Sequence, residues 1–169
     1  MLTLLQTLWR YKAWANDNLF AALAANEARL APADFVTAVR LLNHVWLVEQ
    51  IFQANLLGHS HDYRALNTPD TPRLDDLLQA QRASEHWFAD YLAGLAPAAL
   101  DERLDFVFTD GKPGAMTRGE MLAHLATHSS NHRGMVGRIL AAAGVTPPKD
   151  TLTVFLHRAQ PDRAQPETT

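Results

Sequence analysis

The alternation of hydrophobic and polar residues along the chain predicts four long helices. Apolar side chains recur at steps of three and four residues, the spacing that turns one face of a helix toward a core. The pattern covers, in chain order, Leu2–Ala25, Pro32–Leu57, a stretch capped by Thr71-Pro72 and ended at Gly94 to Pro97, and Thr117–Ala143. The second stretch is apolar nearly all round, which is typical of a central member of a helix bundle.

The long connection between the third and fourth helices has a different pattern. Between Asp101 and Met116 the chain alternates as a strand does, with Leu104, Phe106 and Phe108 on one side. The Asp110-Gly111 pair supplies a turn between two such runs. We therefore expect a short hairpin-like crossover here.

These elements define the expected fold and domain organisation. Gly58–Asp70 is expected to be a loop, and Thr151–Leu156 is apolar enough to pack back on the helices. We predict an all-α protein, a single four-helix-bundle domain over residues 1–157. The remaining residues, 158–169, are polar and are expected to form a disordered tail.

The fourth helix carries the most specific chemical signal. His124, His128 and His132 follow one another at intervals of four, after a capping box formed by Thr117 and Glu120. At about 100° per residue His132 falls on the apolar stripe, His128 about 40° from it, and His124 about 40° further out. His124 and His132 are about 12 Å apart along the axis, too far for one ion. Neighbours four apart can share an ion, so His128 and His132 are the better pair.

A third ligand would have to come from another helix. Arg40, His44, Ile51 and Asn55 fall in one sector of about 60° on the second helix, so a line of polar groups runs down an otherwise apolar helix. Buried polar groups need partners, and His44 is the candidate for the third ligand. Taken alone, His44 also fits a hydrogen-bonded core histidine.

Composition narrows the classes of function. The formal charge of −3 gives no electrostatic footprint for nucleic acid or an acidic membrane surface. The chain has no cysteine, which fits a reducing compartment and removes thiolate ligands and cysteine nucleophiles. The first residues lack the features of a signal peptide, and no apolar run is long enough to span a membrane. We therefore expect a soluble, cytoplasmic protein without nucleic-acid or membrane partners.

Four short motifs, in order and spacing, resemble those of one family. They are Tyr11-Lys-Ala-Trp14-Ala15-Asn16 in the first helix, Leu42-Asn-His44 followed by Glu49 in the second, Thr127-His128-Ser-Ser-Asn-His132-Arg133-Gly134 in the fourth, and the segment from Gly144 to Asp150. Together they resemble the DinB superfamily, the DinB/YfiT-like metalloproteins. The family's usual paired-histidine motif is Asn-His-x-x-x-His-Arg-Gly-Gln, and this chain departs from it with Thr127 and Met135 in place of the asparagine and the glutamine.

The resemblance implies a four-helix bundle that binds one divalent metal ion, most often zinc or nickel, through His44, His128 and His132. It also implies a metal-dependent thiol S-transferase or thiol-dependent isomerase, with a small-molecule thiol and an electrophile as partners. No catalytic side chain is implied. A homodimer is expected on the resemblance alone.

The chemistry of such a site suits thiol transfer. Three neutral imidazoles leave a divalent ion with its full charge and a position open to water or substrate, and a thiol brought there would be deprotonated. Metal-assisted hydrolysis would need a general base, for which Glu49 and Glu85 are candidates, although Glu49 lies about 140° from His44 on the helical wheel. The alternatives are a non-catalytic metal-binding or stress-response module, and a plain bundle whose histidines are merely buried.

Other noticeable residues have ordinary explanations beside functional ones. His124 fits either a pocket or plain surface, and His59-Ser-His61 is expected to be a solvated loop. Arg40 and Arg133 could hold a carboxylate, with a salt bridge at the bundle surface as the favoured alternative for Arg133. Expected core or interface aromatics are Trp9, Trp14, Trp46 and Trp87.

Overall fold

The computed structural model describes residues 1–159, and four long helices make up most of this part of the chain. These helices are α1 (Leu2–Asn26), α2 (Pro32–Leu56), α3 (Leu74–Gly94) and α4 (Arg118–Ala142), with short 3-10 turns at Glu27–Arg29 and Pro97–Asp101. Helix α1 packs against α3 and α4, and α2 packs against the same two, so α1 and α2 occupy opposite corners of the bundle. The predicted all-α, four-helix bundle is confirmed.

Helix α3 begins later than its sequence suggests. Thr71 was expected to cap it, but Arg73 is the N-cap residue and keeps an extended backbone (φ −67°, ψ 143°). The first helical hydrogen bond runs from the Leu77 N–H to the Arg73 carbonyl at 3.0 Å. No side chain caps this end, and Asp75 and Asp76 supply negative charge to the first turn instead.

Both ends of α4 are fixed by local sequence. The capping box is present, with the Glu120 N–H donating to Thr117 Oγ1 (3.2 Å) and the Thr117 N–H donating to Glu120 Oε2 (2.7 Å). At the other end Gly144 has φ +72°, and the Val145 N–H donates to the Leu140 carbonyl at 3.0 Å. The left-handed Gly144 and the hydrogen bond from Val145 back to Leu140 together end the helix as a Schellman motif.

The predicted hairpin is present between α3 and α4. Strand β1 (Arg103–Val107) pairs antiparallel with β2 (Pro113–Thr117), and Phe106 lies opposite Gly114. A Cβ at Gly114 would lie 2.7 Å from Phe108 Cε2 and 2.8 Å from Phe106 Cε2. Glycine therefore lets both aromatic rings cross over the second strand.

The core consists of two hydrophobic clusters separated by a layer of polar side chains. In the first cluster Trp9 stacks on Phe88 with 4.1 Å between ring centroids, and the second includes Phe20 and Leu77. Between them lies what we call the interior polar layer, made of Lys12, Asn16, Glu49, Gln81, Ser84, Glu85, Ser129 and Arg133, all buried. Trp46 and Trp87 pack against the clusters as partly buried aromatics, as expected.

The end of the described chain packs back on the bundle. Helix α5 (Leu152–Ala159) contacts α1, where Phe155 lies 5.8 Å from Trp14 and 6.0 Å from Tyr11 between ring centroids. Arg158 and Ala159 therefore belong to a helix and not to a tail, and residues 160–169 of the expected tail lie outside the described residues. Over residues 1–159, no helix is long and apolar enough to cross a lipid bilayer.

Candidate metal centre

Three imidazoles converge where α2 packs against α4. Ring centroids of His44 lie 4.9 Å from His128 and 4.7 Å from His132, and the latter two are 4.5 Å apart. Each ring offers one nitrogen, and these three atoms all lie within 4.8 Å of one another. The cluster could therefore hold a metal ion, and its members are the three residues singled out by spacing and resemblance.

His44 is held by a loop that the sequence did not connect with it. Its Nδ1–H donates to the Leu66 carbonyl at 2.7 Å, so in the neutral ring Nε2 carries only a lone pair. That Nε2 points at His128 Nε2, 3.0 Å away. A backbone carbonyl on the far nitrogen is one of the usual partners that orient a metal-ligating histidine.

The same loop is fastened to α2 by further hydrogen bonds. Asn43 donates to the Asn67 side chain and to Thr68 Oγ1, the latter at 2.8 Å. Arg40 donates through Nη2 to the Thr68 carbonyl (3.1 Å), and its own carbonyl accepts from Asn67 Nδ2 (3.2 Å). These contacts keep the Leu66 carbonyl in place. They also engage Arg40, which was considered as a carboxylate binder.

Partial burial keeps the α4 imidazoles neutral. Burial, with a smaller contribution from the neighbouring rings of His132, His44 and His124, lowers the pKa of His128 to about 3. Burial, followed by the His44 ring, also lowers the pKa of His132. A neutral imidazole has the free lone pair that a metal ion requires.

The residues present fit a divalent ion. Zinc–nitrogen bonds of about 2.0–2.1 Å place two tetrahedral ligand nitrogens roughly 3.3 Å apart, close to the 3.0 Å between the Nε2 atoms of His44 and His128. Among the described residues, the Nδ1 atoms of His128 and His132 have no hydrogen-bond partner and are shielded from solvent. The facing Nε2 atoms of His44 and His128 contact only each other, and within the cluster the protein orients a ring by a hydrogen bond only at His44 Nδ1. The nitrogens that face one another are therefore left to a ligand.

One feature of the helical wheel was wrong. His132 was placed on the fully buried stripe of α4, but it is only partly buried, and Arg133 faces the interior with 2% of its surface exposed. Arg133 can be buried because its guanidinium finds four acceptor contacts there. His124, the outermost of the three, is exposed and lies 5.5 Å from His128 and 5.3 Å from Phe52 between ring centroids.

Arg133 forms a salt bridge, but not at the surface as expected. It donates to both carboxylate oxygens of Asp150, at 2.7 and 3.3 Å. It also donates to Ser129 Oγ at 2.8 Å and to Asn16 Oδ1 at 3.3 Å. Tyr11 donates to the same Asp150 carboxylate. A guanidinium so fully engaged is a structural link, and it is not available for a ligand carboxylate.

Glu49 and Glu85, the two candidate general bases, lie in the interior polar layer. Lys12 Nζ is 2.7 Å from Glu49 Oε1 and 3.2 Å from Glu85 Oε1, and Gln81 and Ser84 donate to Glu49 at 2.9 and 2.7 Å. Burial raises the pKa of Glu85, with Lys12 opposing that shift. Neither carboxylate serves the histidine cluster. The signal for this layer was the pair Lys12 and Asn16, polar residues four apart in the apolar α1.

The other histidines and the departures from the family motif lie outside the cluster. His59 is exposed and His61 is partly buried, 5.8 Å from the Tyr63 ring. Thr127 Oγ1 donates to its own helix, to the carbonyls of Ala123 and His124, and Met135 is exposed.

A helical bundle with three convergent imidazoles defines a class of candidate metalloproteins. Comparison of the sequence with those of known protein families identifies the family. The sequence model of the DinB family matches residues 1–167. The chain therefore belongs to the DinB family. Searches of curated proteins and of solved structures gave no match.

Proposed function

We propose that this DinB-family protein is a metal-dependent thiol S-transferase or thiol-dependent isomerase that acts on small electrophiles. The ion would be held by His44, His128 and His132, with zinc or nickel as the most suitable metals for imidazole ligands. The observation that carries the proposal is the convergence of three imidazoles from two helices, with one of them oriented by a backbone carbonyl.

The surroundings of the cluster favour a nucleophile that is ionised by a metal over one that needs a protein base. A divalent ion at such a site lowers the pKa of a thiol that reaches it, so that a thiolate forms near neutral pH. The two buried glutamates of the bundle are bound to Lys12, and no cysteine of the chain competes for the ion. The protein's role is then to orient the imidazoles and to keep them neutral.

Metal binding is tested first, by elemental analysis of freshly purified, untagged protein. We expect about one equivalent of a divalent ion per chain, as for other sites with three histidine ligands. His44→Ala should lose metal affinity at least as severely as His128→Ala, and His132→Ala should also lose it. His124→Ala is the matched control on the same helix and should retain the ion. Loss of metal in His124→Ala without loss in His132→Ala would contradict the assignment.

Catalysis is tested separately with metal-loaded protein. We expect an adduct when it is incubated with a chlorinated aromatic electrophile and one of the common cellular thiols, at a rate above that of metal-free protein and of His128→Ala. If metal binds but no thiol gives an adduct above these controls, the non-catalytic metal-binding module is the better description. A low-molecular-weight thiol also fits the proposed cytoplasmic setting. The proposed homodimer is tested separately, by measuring the molar mass of the protein with light scattering.

A further inference from the structure

A cavity of about 270 Å³ lies beside the histidine cluster, between α2, the loop that follows it and the hairpin. For comparison, a dry cavity of about 150 Å³ accommodates benzene in an engineered protein. The cavity described here is large enough for a substituted aromatic ring. Its main lining residues are Val48, Ile51, Phe52, Asn55, Leu66, Phe106 and Phe108.

One lining residue of this cavity contacts the candidate metal centre, and a second lies beside His124, the neighbour of His128. The carbonyl of Leu66 accepts the hydrogen bond that orients His44. The ring of Phe52 lies 5.3 Å from that of His124 and 5.9 Å from that of Phe106, between centroids. The cavity therefore shares with the candidate metal centre the loop residue whose carbonyl orients His44.

The lining is apolar although much of it faces solvent. Leu66, Val107 and Phe108 are 48%, 56% and 48% exposed, and they are among the most exposed large hydrophobic residues of the described chain. Exposed apolar side chains that gather at one concave site usually mark a binding surface. Phe106 and Phe108 meet edge to face at 4.9 Å, an arrangement that the missing side chain of Gly114 permits. The only ionisable residue in this lining is Asp110, which is paired with Lys112.

One polar group interrupts this apolar lining without a partner. Asn55 is 8% exposed, and its Nδ2 has no hydrogen-bond partner among residues 1–159. A second cavity of about 280 Å³, on the side of His59 and His61, is lined by the same asparagine. An unpaired amide at a buried position is costly in a folded protein unless a ligand or water satisfies it. Asn55 Nδ2 is therefore free to donate to a hydrogen-bond acceptor on a bound ligand.

We propose that this cavity is the electrophile subsite, and that it takes a small, uncharged aromatic molecule with one hydrogen-bond acceptor, such as a carbonyl or nitro oxygen, held by Asn55 Nδ2. The rings of Phe52, Phe106 and Phe108 contact the aromatic body, and the amide sets its orientation. The role as electrophile subsite rests on the proposed function. Binding of the aromatic acceptor does not need the thiol, and it can be measured without turnover.

The test compares two probes of nearly equal shape, 4-fluoroacetophenone and 4-fluoroethylbenzene, by fluorine NMR titration of the metal-loaded protein without thiol. We expect the ketone to bind about threefold to tenfold more tightly, the range given by one net hydrogen bond. Asn55→Leu, which keeps the shape of the side chain, should abolish the preference and leave hydrocarbon binding unchanged. Phe108→Ala should weaken both probes, and Leu57→Ala, at an exposed position outside this lining, should weaken neither.

Thermal unfolding separates a ligand-binding role of Asn55 from a structural one. Because the amide makes no internal hydrogen bond, Asn55→Leu should melt at the same temperature as the wild type or higher. A lower melting temperature, or a ketone preference that survives the substitution, would overturn the subsite. Ketone binding that depends on Asn55 in a protein without thiol adducts would leave the cavity standing and remove the transferase. If thiol adducts form and Asn55→Leu does not change the KM for the electrophile, the transferase would stand and the cavity would not be its electrophile subsite.

Discussion

The interior polar layer and the histidine cluster are both built on α4, from adjacent positions, yet their side chains differ in how they are satisfied. Ser129 and Arg133 directly follow His128 and His132, and face the interior, while the histidines face α2. Arg133 has four donor contacts to protein oxygens. His128 and His132 have shielded Nδ1 atoms without protein partners, and the Nε2 of His128 faces only the Nε2 of His44. The first arrangement is complete without a ligand, and the second is not.

This difference separates the residues that stabilise the bundle from those available for chemistry. Polar groups whose hydrogen bonds are all made within the protein stabilise one packing of the helices, and their loss lowers the free energy of unfolding. Polar groups with unused lone pairs can bind an ion, and their loss is expressed in binding. Substitutions in the two regions should therefore give opposite patterns of effects.

The largest effect is expected in the interior polar layer. Lys12→Met would leave Glu49 and Glu85 buried without their cation, and removing one partner of a buried ion pair typically costs about 3–5 kcal/mol. Urea denaturation of metal-free protein should show a loss of this size in the free energy of unfolding. Lys112→Met, which removes a lysine that is 79% exposed, is the control and should unfold like the wild type. A loss in Lys12→Met as small as in this control would mean that the layer does not stabilise the bundle.

A smaller effect on stability is expected from the histidine cluster, and only when metal is present. A ligand that binds the native state alone at about 100 times its dissociation constant stabilises it by about 2.7 kcal/mol. Zinc or nickel should therefore raise the free energy of unfolding of the wild type and of His124→Ala by a similar amount. His44→Ala should show no such increase. An increase that persists in His44→Ala would place the ion elsewhere.

The parts of this arrangement that depend on local sequence were predictable. Capping of α4, the hairpin and the four-residue spacing of His128 and His132 are short-range features, and each was found where the pattern placed it. His44 was reached by a polar position on an apolar helix together with the family motif. Helical spacing alone left it open.

What the sequence did not reveal depends on contacts between distant residues. On a helical wheel the apolar stripe is taken as the inward face, so His132 was placed inward and Arg133 outward. In the structure Asn16 and Asp150 accept hydrogen bonds from Arg133 and make its inward position favourable. Likewise Lys12 meets Glu85 across 73 positions, and no local pattern predicts that pairing. The loop carbonyl that orients His44 has no sequence signature, because any residue carries one.

The smallest effect concerns pH. In metal-free protein the pKa of His128 is about 3, against an ordinary value of 6.5. Between these values the unfolded chain binds a proton at this site and the native protein does not, so the free energy of unfolding falls as the pH falls below about 6.5. Allowing for partial solvent access, we expect a loss of about 1 kcal/mol between pH 7 and pH 5.

This loss can be isolated by substitution, because other groups titrate in the same range. The pKa of His132 is also lowered and acts in the same direction. Glu85, whose pKa is raised, acts oppositely, since its native carboxyl binds protons more readily than the unfolded one. Urea denaturation of chelator-treated wild type and His128→Gln at pH 7, 6 and 5 should therefore show a steeper decline in the wild type. Parallel declines would mean that His128 is solvated in the native state. Burial would then not keep its imidazole ring neutral.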